Sequence, residues 1–432
     1  MTRPAHKGPP HQLDPSRPLQ RKLYQAATRR RNRRFPALDD RIFRPDMRWR
    51  AWRAVRANGG SAGVDGVRRE DVEPQGGAAF LQALAPDLRA GSYRPQPVLR
   101  VDIPQPDGRQ RPLGMPPVRD RVVPQAGTIV IAPIVEANFP HTSYGLRPRR
   151  RATQAVQVVQ AQLGSQGYVV EGDIEGFFDP IAHEMLMRFV ARRISDRRVL
   201  KLLRQWLQAG VVEAGQWCPT TMGSPQGGVM SPRLANIDVH GLDMDWAPPY
   251  SSLGHLTRSA DDRVMVSRTR SEAEHALQAV TQIVQKRKRT GHPTQTGIVD
   301  VTRAGCELLG FHFQTGSARK AGKLIPRMWP GQKAMPAIRS HSREQTERRG
   351  LRGTIAAMGA QLNRIIRGWR NYVRVGHATK TFQDLDRDVR QRMGQWLRAR
   401  LKRGTPPEQL QALYSPRGRE YFSARGRGGT RP

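Results

Sequence analysis

The stretch RSADDRVMVSRT, residues 258–269, sets two adjacent carboxylates, Asp261 and Asp262, ahead of a short apolar alternation, with Arg258, Arg263 and Arg268 around them. A third carboxylate, Asp173, stands near the end of the strand that opens YVVEGDIEGFFD, residues 168–179. Phosphoryl transfer to a growing nucleic acid uses two hard divalent cations about 3.5–4 Å apart. Magnesium takes carboxylate oxygens together with phosphate and water. Such a site needs a few convergent carboxylates on rigid elements. A hairpin turn presenting Asp261 and Asp262 beside a strand that ends at Asp173 supplies three. An Asp-Asp pair by itself more often caps a turn or faces solvent, so its surroundings decide its meaning.

Those surroundings begin with the elements that must position the acids. Tyr168, Val169 and Val170 are good β-formers and predict a strand with Asp173 near its end. LTR, SADD and RVMVS read as strand, turn and strand. The two segments lie far apart in the chain, so only a folded sheet brings them together. GSPQGGVMSPRLANI (223–237) is a turn-rich entry into an apolar helix, and helical patterns fill 181–209. Met47, Trp49, Trp52 and Val55 recur at helical spacing before the glycine-rich loop NGGSAGVDGV (58–67). Residues 75–160 mix Pro-bounded strands with helices, and an αβ stretch runs to 316, closing with ELLGFHF (307–313).

From 355 the apolar positions Ile355, Met358, Leu362, Ile365, Ile366, Trp369 and Val373 recur every three or four residues. Leu385, Val389, Met393, Trp396 and Leu397 do the same, with Arg387, Arg390, Arg398 and Arg400 on the other face. These predict amphipathic helices with a basic outer surface; Trp369, Tyr372 and Trp396 fall on or beside the apolar stripes, as core residues would. The divisions expected are a basic flexible leader over 1–35, an α+β region over 36–316, a basic linker or the start of the helical region over 317–350, a helical region over 351–404 and a basic tail over 405–432.

The chain of 432 residues carries 73 Lys and Arg against 36 Asp and Glu, a formal charge of +37. Self-repulsion on that scale is costly unless a polyanion neutralises it. Nucleic acid is the natural counter-partner, because each phosphate neutralised releases counterions. Arginine predominates over lysine, which suits bidentate phosphate contacts, although a GC-rich genome produces the same bias. No run approaches the roughly 20 apolar residues of a membrane span; the longest, AGTIVIAPIV at 126–135, is broken by Pro133. MTRPAHKGPP lacks the apolar core of a signal peptide. Two cysteines, Cys218 and Cys306, are too few for a disulfide framework or a Cys-rich zinc site, and a reducing cytoplasm is the expected location.

The blocks VVEGDIEGFFDPIAHEML, GSPQGGVMSPRLANIDVHGLD and LTRSADDRVMVSRT, in that order, resemble the central motifs of group II intron reverse transcriptases. RPLGMPPVRDRVVPQA (111–126) and SYGLRPRR (143–150) resemble the blocks that precede them, and ELLGFHF the block that closes the palm. Residues 362–403 resemble the maturase domain, which also serves as the polymerase thumb; the likeness runs from about 36 to 404. The resemblance implies a right-hand polymerase: fingers and palm with an antiparallel sheet over 36–316, then an all-helical thumb and maturase domain. It implies that Asp173, Asp261 and Asp262 are the catalytic residues and hold two Mg2+ ions, for which Mn2+ can substitute.

It further implies that Phe177 or Phe178 is the aromatic gate against a 2′-hydroxyl, and that Gln226 and Gly227 lie along the incoming nucleotide. Arg109, Arg111 and Arg119 fall in the block that meets the triphosphate, and Arg147, Arg367, Arg370, Arg374, Arg387, Arg390 and Arg398 are the arginines expected on RNA.

Three positions depart from the family pattern. Ser259 stands where a tyrosine is usual, Arg263 where an aromatic is usual, and Gln295 where a lysine is common near the triphosphate. Strand alternation puts Arg263 on the face of Asp261, where it could compete for the carboxylates or reach outward to template phosphate. Glutamine at 295 cannot lend a proton to pyrophosphate.

The expectation is an RNA-directed DNA polymerase that uses deoxynucleoside triphosphates and a DNA primer, binds group II intron RNA or another structured RNA template, and assists splicing. No His or Cys follows His377, so a C-terminal endonuclease domain with Cys/His ligands is not expected. The alternatives are a polymerase-inactive RNA-binding splicing factor on the same scaffold and a domesticated reverse transcriptase serving defence.

Overall fold

The structure, a computed structural model, describes residues 16–74, 76–105, 108, 110–164, 167–174, 177–178, 181–287, 289, 291–317, 324–346 and 355–401, without the side chains of 173–174, 291–295, 317, 324, 355–356 and 397–401. In chain order these hold α1 (Ser16–Arg29), α2 (Asp39–Ile42), α3 (Pro45–Asn58), α4 (Arg69–Val72), α5 (Gly77–Ala90), β1 (Val98–Pro104), β2 (Gln110–Met115), α6 (Arg119–Glu136), α7 (Ala152–Leu163) and β3 (Tyr168–Ile174). There follow α8 (His183–Ala191), α9 (Arg197–Leu207), β4 (Val211–Glu213), β5 (Gln216–Cys218), α10 (Ser231–Tyr250), β6 (His255–Ser259), β7 (Asp262–Ser267) and α11 (Arg270–Lys286). The last are β8 (Gly291–Asp300), β9 (Cys306–Leu308), β10 (Phe311–Ser317), β11 (Leu324–Pro330), α12 (Ala334–Gln345), α13 (Ile355–Val373) and α14 (Thr379–Leu401). The class is α+β, as expected. One compact unit gathers the chain through Pro148 with Ile174–Pro249 and Ile283–Thr290; the other gathers Arg149–Asp173, Tyr250–Gln282 and the chain from Gly291.

The first unit is organised on α6, whose apolar run buries Val122, Val123, Ile129, Val130, Ile131 and Ile134. A helix apolar on every side belongs in a core, yet Pro124 and Pro133 interrupt this one. Pro133 has no N–H, so the carbonyl of Ile129, four residues back, loses its helical donor. Gln20 of α1 replaces it, donating from Nε2 to the Ile129 carbonyl at 2.9 Å. Leu23 and Ala27 of α1 are buried, and the helix packs on α6 and α3. The guanidinium of Arg193 donates to the carbonyls of Ala27 (2.9 Å) and Arg30 (3.4 Å) at its C-terminal end. The flexible leader expected over 1–35 is therefore corrected from residue 16 onward; residues 1–15 lie outside the described residues. The same unit holds a sheet ordered β2-β1-β4-β5, with β1 antiparallel to β2 and parallel to β4.

The second unit is built on the sheet β6-β7-β3-β8. Alternation along β7 turns Val264 and Val266 into a cluster with Val156, Val159 and Leu163 of α7, Val169 of β3, and Phe311, Phe313 and Met328 of the sheet β11-β10-β9. A second cluster joins Ile338 of α12 to Met358, Leu362 and Ile366 of α13 and to Leu385, Val389, Met393 and Trp396 of α14; the α13 and α14 positions belong to the stripes read from the sequence. Trp369 packs against both clusters.

The stretch over 317–350, expected as a basic linker or the start of the thumb, is ordered structure where it is described: β11 pairs with β10 from Phe311↔Pro330 to Ser317↔Leu324, and α12 follows, packed with α13 and α14. Pro326, Arg327 and Pro330 hid that strand from sequence patterning, and an edge position is where a sheet tolerates them. No helix among the described residues is long and apolar enough to cross a membrane.

The α1 docking makes a direct prediction. Gln20→Ala leaves the Ile129 carbonyl buried without its donor and should cost about 1–3 kcal/mol in chemical denaturation; a flexible leader would leave the midpoint unmoved.

Candidate active site

The hairpin of β6 and β7 closes on the pair Ser259↔Asp262, leaving Ala260 and Asp261 as its two turn residues. Two-residue hairpins need φ > 0 at their first turn position, a place usually filled by Gly, Asn or Asp. Here Ala260 takes it, at φ 61. Such backbone costs about 1–3 kcal/mol and persists only where the surroundings enforce it. Arg258, fully buried, supplies part of that enforcement by donating from Nη1 to the Ala260 carbonyl at 3.2 Å. Ser259 is buried and meets Asp262 through the backbone ladder, so the tyrosine it replaces is not required to close the turn.

Asp262 opens β7 on the face of Val264 and Val266, and Arg263 alternates to the other face with Met265, directly across from Arg258. Arg263 is only 5% exposed. The outward reach to template phosphate considered for it is thereby corrected: a guanidinium buried in the sheet layer does not present itself to a nucleic-acid backbone.

β3 runs antiparallel beside β7, with Tyr168↔Ser267, Val169↔Val266, Val170↔Met265 and Glu171↔Val264. The paired ladder ends at Glu171↔Val264, two residues short of Asp173 on β3 and of Asp262 on β7. Residues directly opposite in an antiparallel pair have Cα atoms about 4.5–5.5 Å apart, and the backbone of Asp173 lies within β3. Among the described residues no three His, Cys, Asp or Glu side chains are grouped to hold a metal ion, and the side chain of Asp173 is outside that set. The donor chemistry fits: Asp261 and Asp262 are partly exposed carboxylates at a strand edge, and hard cations take such oxygens with water and phosphate.

Behind this face, burial and then the charge of Glu307 raise the Glu171 carboxyl above its usual range. Burial, followed by the charge of Glu171, pushes the Cys306 thiol up to about 12.

In the first unit several residues predicted to meet a nucleotide do come together. The guanidinium Nε of Arg111 donates to Oε1 of Gln226 at 3.1 Å, and the Gly114 amide donates to the Gln226 carbonyl at 2.5 Å. Gly227 sits at φ 101, and a Cβ there would come within 2.5 Å of the Gly114 carbonyl. Its glycine is thus required by the close approach of β2, whatever else binds there. The Ser224 amide donates to the Phe178 carbonyl at 3.0 Å, tying this loop to the phenylalanine pair. Phe177 and Phe178 meet edge to face at 4.9 Å; Phe177 is buried and Phe178 half-buried. Exposure therefore separates the two: Phe177 belongs to the core and Phe178 offers a ring. Arg119 is occupied by Asp87 (3.5 Å), Asp120 (3.7 Å) and the ring of Tyr93, which accounts for it structurally. Arg109 lies outside the described residues, as does the side chain of Gln295.

The predicted RNA-facing arginines divide. Arg147 is corrected: its side chain is 5% exposed, pairs with Glu136 at 2.7 Å, donates to the carbonyls of Pro140 and Ser143 and lies over the Phe139 ring. An arginine with that many internal acceptors is a turn clamp. Arg367, Arg374, Arg387 and Arg390 are exposed, Arg387 within 3.5 Å of Asp384; Arg370 is half-buried, and the Arg398 side chain lies outside the described set. Tyr372, expected in the core, also donates its hydroxyl to the Leu309 carbonyl at 2.7 Å. Only its place beside an apolar stripe hinted at this.

An aspartate-bearing hairpin on an antiparallel sheet, joined in one unit to a helical region with an arginine-rich exterior, is the arrangement of a nucleic-acid polymerase with an appended RNA-binding domain. Residues 103–313 match the family described as reverse transcriptase (RNA-dependent DNA polymerase), and residues 335–414 match the group II intron maturase-specific domain. The chain belongs to the group II intron reverse transcriptase and maturase family.

It is similar to the protein YkfC of Escherichia coli, 38% identical over 232 residues that make up 52% of this chain and 61% of that one. It is also similar to the group II intron-encoded protein LtrA of Lactococcus lactis, 34% identical over 210 residues, 48% of this chain and 35% of LtrA. A further relative, described as an uncharacterized 91 kDa protein in the cob intron of Schizosaccharomyces pombe, is 29% identical over 47% of this chain and 25% of its own length. The matched stretches thus span between a quarter and three-fifths of these relatives.

The thiols supply a check on the packing behind the carboxylates. At pH 8 iodoacetamide should label exposed Cys218 and spare Cys306 in the folded protein. An unfolded thiol ionises near pH 8.5, so Cys306 also makes folding stability fall as pH rises from about 8.5 toward 12. Equal labelling of both thiols would contradict the burial of β9 behind β3.

Proposed function

We propose that the chain is an RNA-directed DNA polymerase that copies RNA into DNA from a DNA primer, and that it binds group II intron RNA and assists its splicing as a maturase. The observation that carries this reading is the antiparallel register of β3 and β7, which leads Asp173 toward Asp262 beside the strained turn of Asp261. On this reading the three carboxylates hold two Mg2+ ions, with Mn2+ able to substitute, since all three offer hard oxygen donors. Bound there, the ions would supply activation of the primer 3′ hydroxyl and neutralisation of the departing pyrophosphate.

The chain's own residues do the rest by placement. Phe178, the more exposed ring of its pair, stands beneath the sugar of a deoxynucleotide and rejects a 2′-hydroxyl. Gln226, braced by Arg111 and by the Gly114 amide, lines the nucleotide's path. Arg367 on α13, Arg374 in the turn that follows it, and Arg387 and Arg390 on α14 meet RNA phosphates from exposed surfaces. Structured RNA is recognised largely through shape, phosphates and 2′-hydroxyls, so clamping folded intron RNA leaves the splicing chemistry to the RNA. The matches to a reverse transcriptase domain and a maturase-specific domain, and a relative named as a group II intron-encoded protein, support both halves of the proposal.

Primer extension on poly(rA) with an oligo(dT) primer tests it. Asp261→Asn should lower the rate about a hundredfold or more, because several kcal/mol of charge stabilisation depend on the ions it helps to hold. A parent protein that extends no primer, or an Asp261→Asn variant that matches it, would leave only an RNA-binding splicing factor.

A further inference from the structure

Tyr372 belongs to α13, within the stretch that matches the maturase-specific domain, yet its contacts are with the sheets. Its hydroxyl donates to the carbonyl of Leu309 at 2.7 Å. Leu309 and Gly310 form the turn between β9 and β10, with φ 51 and 74. Glycine takes that conformation freely; leucine does so only under constraint. The Tyr372 ring lies 5.4 Å from that of Phe311, the first residue of β10.

The end of α13 is fastened to the same sheet at further points. The His377 amide donates to the Met328 carbonyl at 2.6 Å, and the Met328 amide donates to Nδ1 of His377 at 3.3 Å. A Cβ on Gly376 would come within 2.8 Å of that Met328 carbonyl, so the chain passes too close for any other residue. Tyr372 and Leu309 both pack on the cluster that contains Val264 and Val266, the β7 residues that alternate onto the face of Asp262. Burial first, and then the charge of Asp262, raises the Tyr372 hydroxyl above the usual phenol range.

We propose that Tyr372 is a positioning residue for the carboxylate site: by holding the Leu309 carbonyl it fixes the β9–β10 turn against the face of β7 that begins at Asp262. The helix expected to grip RNA is then also a strut of the polymerase centre. The rate consequence rests on the polymerase reading; the contact itself does not.

Tyr372→Phe removes the donor and keeps the ring. Hydrogen exchange at amides 309–311 should quicken about five- to tenfold, the scale of one hydrogen bond, with the melting temperature close to the parent's. In primer extension kcat should fall about tenfold with KM for the deoxynucleotide unchanged, because misplacement of reacting groups acts on the chemical step. Leu309→Gly, which adopts the turn without constraint, should restore part of that loss in the Tyr372→Phe background.

Unchanged exchange overturns the proposal whether or not the protein extends primers. Quickened exchange with an unaltered kcat, or a fall in the melting temperature that accounts for the whole rate loss, reduces Tyr372 to a core residue and also overturns it. Should the parent extend nothing, the polymerase reading fails on its own, and Mn2+ affinity followed by electron paramagnetic resonance decides: weaker binding in Tyr372→Phe supports the positioning role, and equal binding overturns it.

Discussion

Carboxylates held together repel one another unless cations or geometry compensate. In a chain of charge +37 the acids that matter are few, and their placement depends on the pairing of β3 with β7. The ladder from Tyr168↔Ser267 to Glu171↔Val264 cannot slip: a shift by one residue would turn Val169, Val264 and Val266 out of their cluster. Apolar packing thus sets the register, and the register sets which acids share a face. The turn beyond it is enforced rather than relaxed, with Ala260 at φ 61 and a buried Arg258 on its carbonyl. A charged donor inside the sheet layer is costly to bury, and its bond at this turn associates that cost with keeping Asp261 and Asp262 in place.

Much of this was legible in the sequence because strand and helix periodicities survive tertiary packing. The alternation RVMVS, the β-formers before Asp173 and the stripes of α13 and α14 all pointed to the elements that formed. What escaped was set by groups distant in the chain. Leu19, Leu23 and Ala27 recur at helical spacing within α1, but part of its anchor is a carbonyl freed by Pro133, more than a hundred residues on. β11 carries prolines and an arginine that argue against a strand, and only its edge position reconciles them.

Residue type also misled where partners decide function. Arg147 reads as a phosphate contact by composition, yet Glu136 and two carbonyls consume its guanidinium. Arg263, whose face alternation gives correctly, is buried where an outward reach to phosphate was open to it. The two phenylalanines after Asp173 are equivalent by type and distinct by burial. In each case the missing information was burial or the acceptor, and a single sequence encodes that only through the fold.

The central claim is that β3 and β7 continue in register until Asp173 faces Asp262. Cysteines at directly opposed antiparallel positions, about 4.5–5.5 Å apart at Cα, fall within the 4.4–6.8 Å that a disulfide spans. In a Cys218→Ser background, the pair Asp173→Cys with Asp262→Cys should oxidise readily in the folded protein. The control pair Asp173→Cys with Ser267→Cys should not, because Ser267 pairs with Tyr168 at the far end of the ladder. A control pair that cross-links as well as the test pair, or a test pair that stays reduced in the folded protein, would contradict the convergence of the three carboxylates.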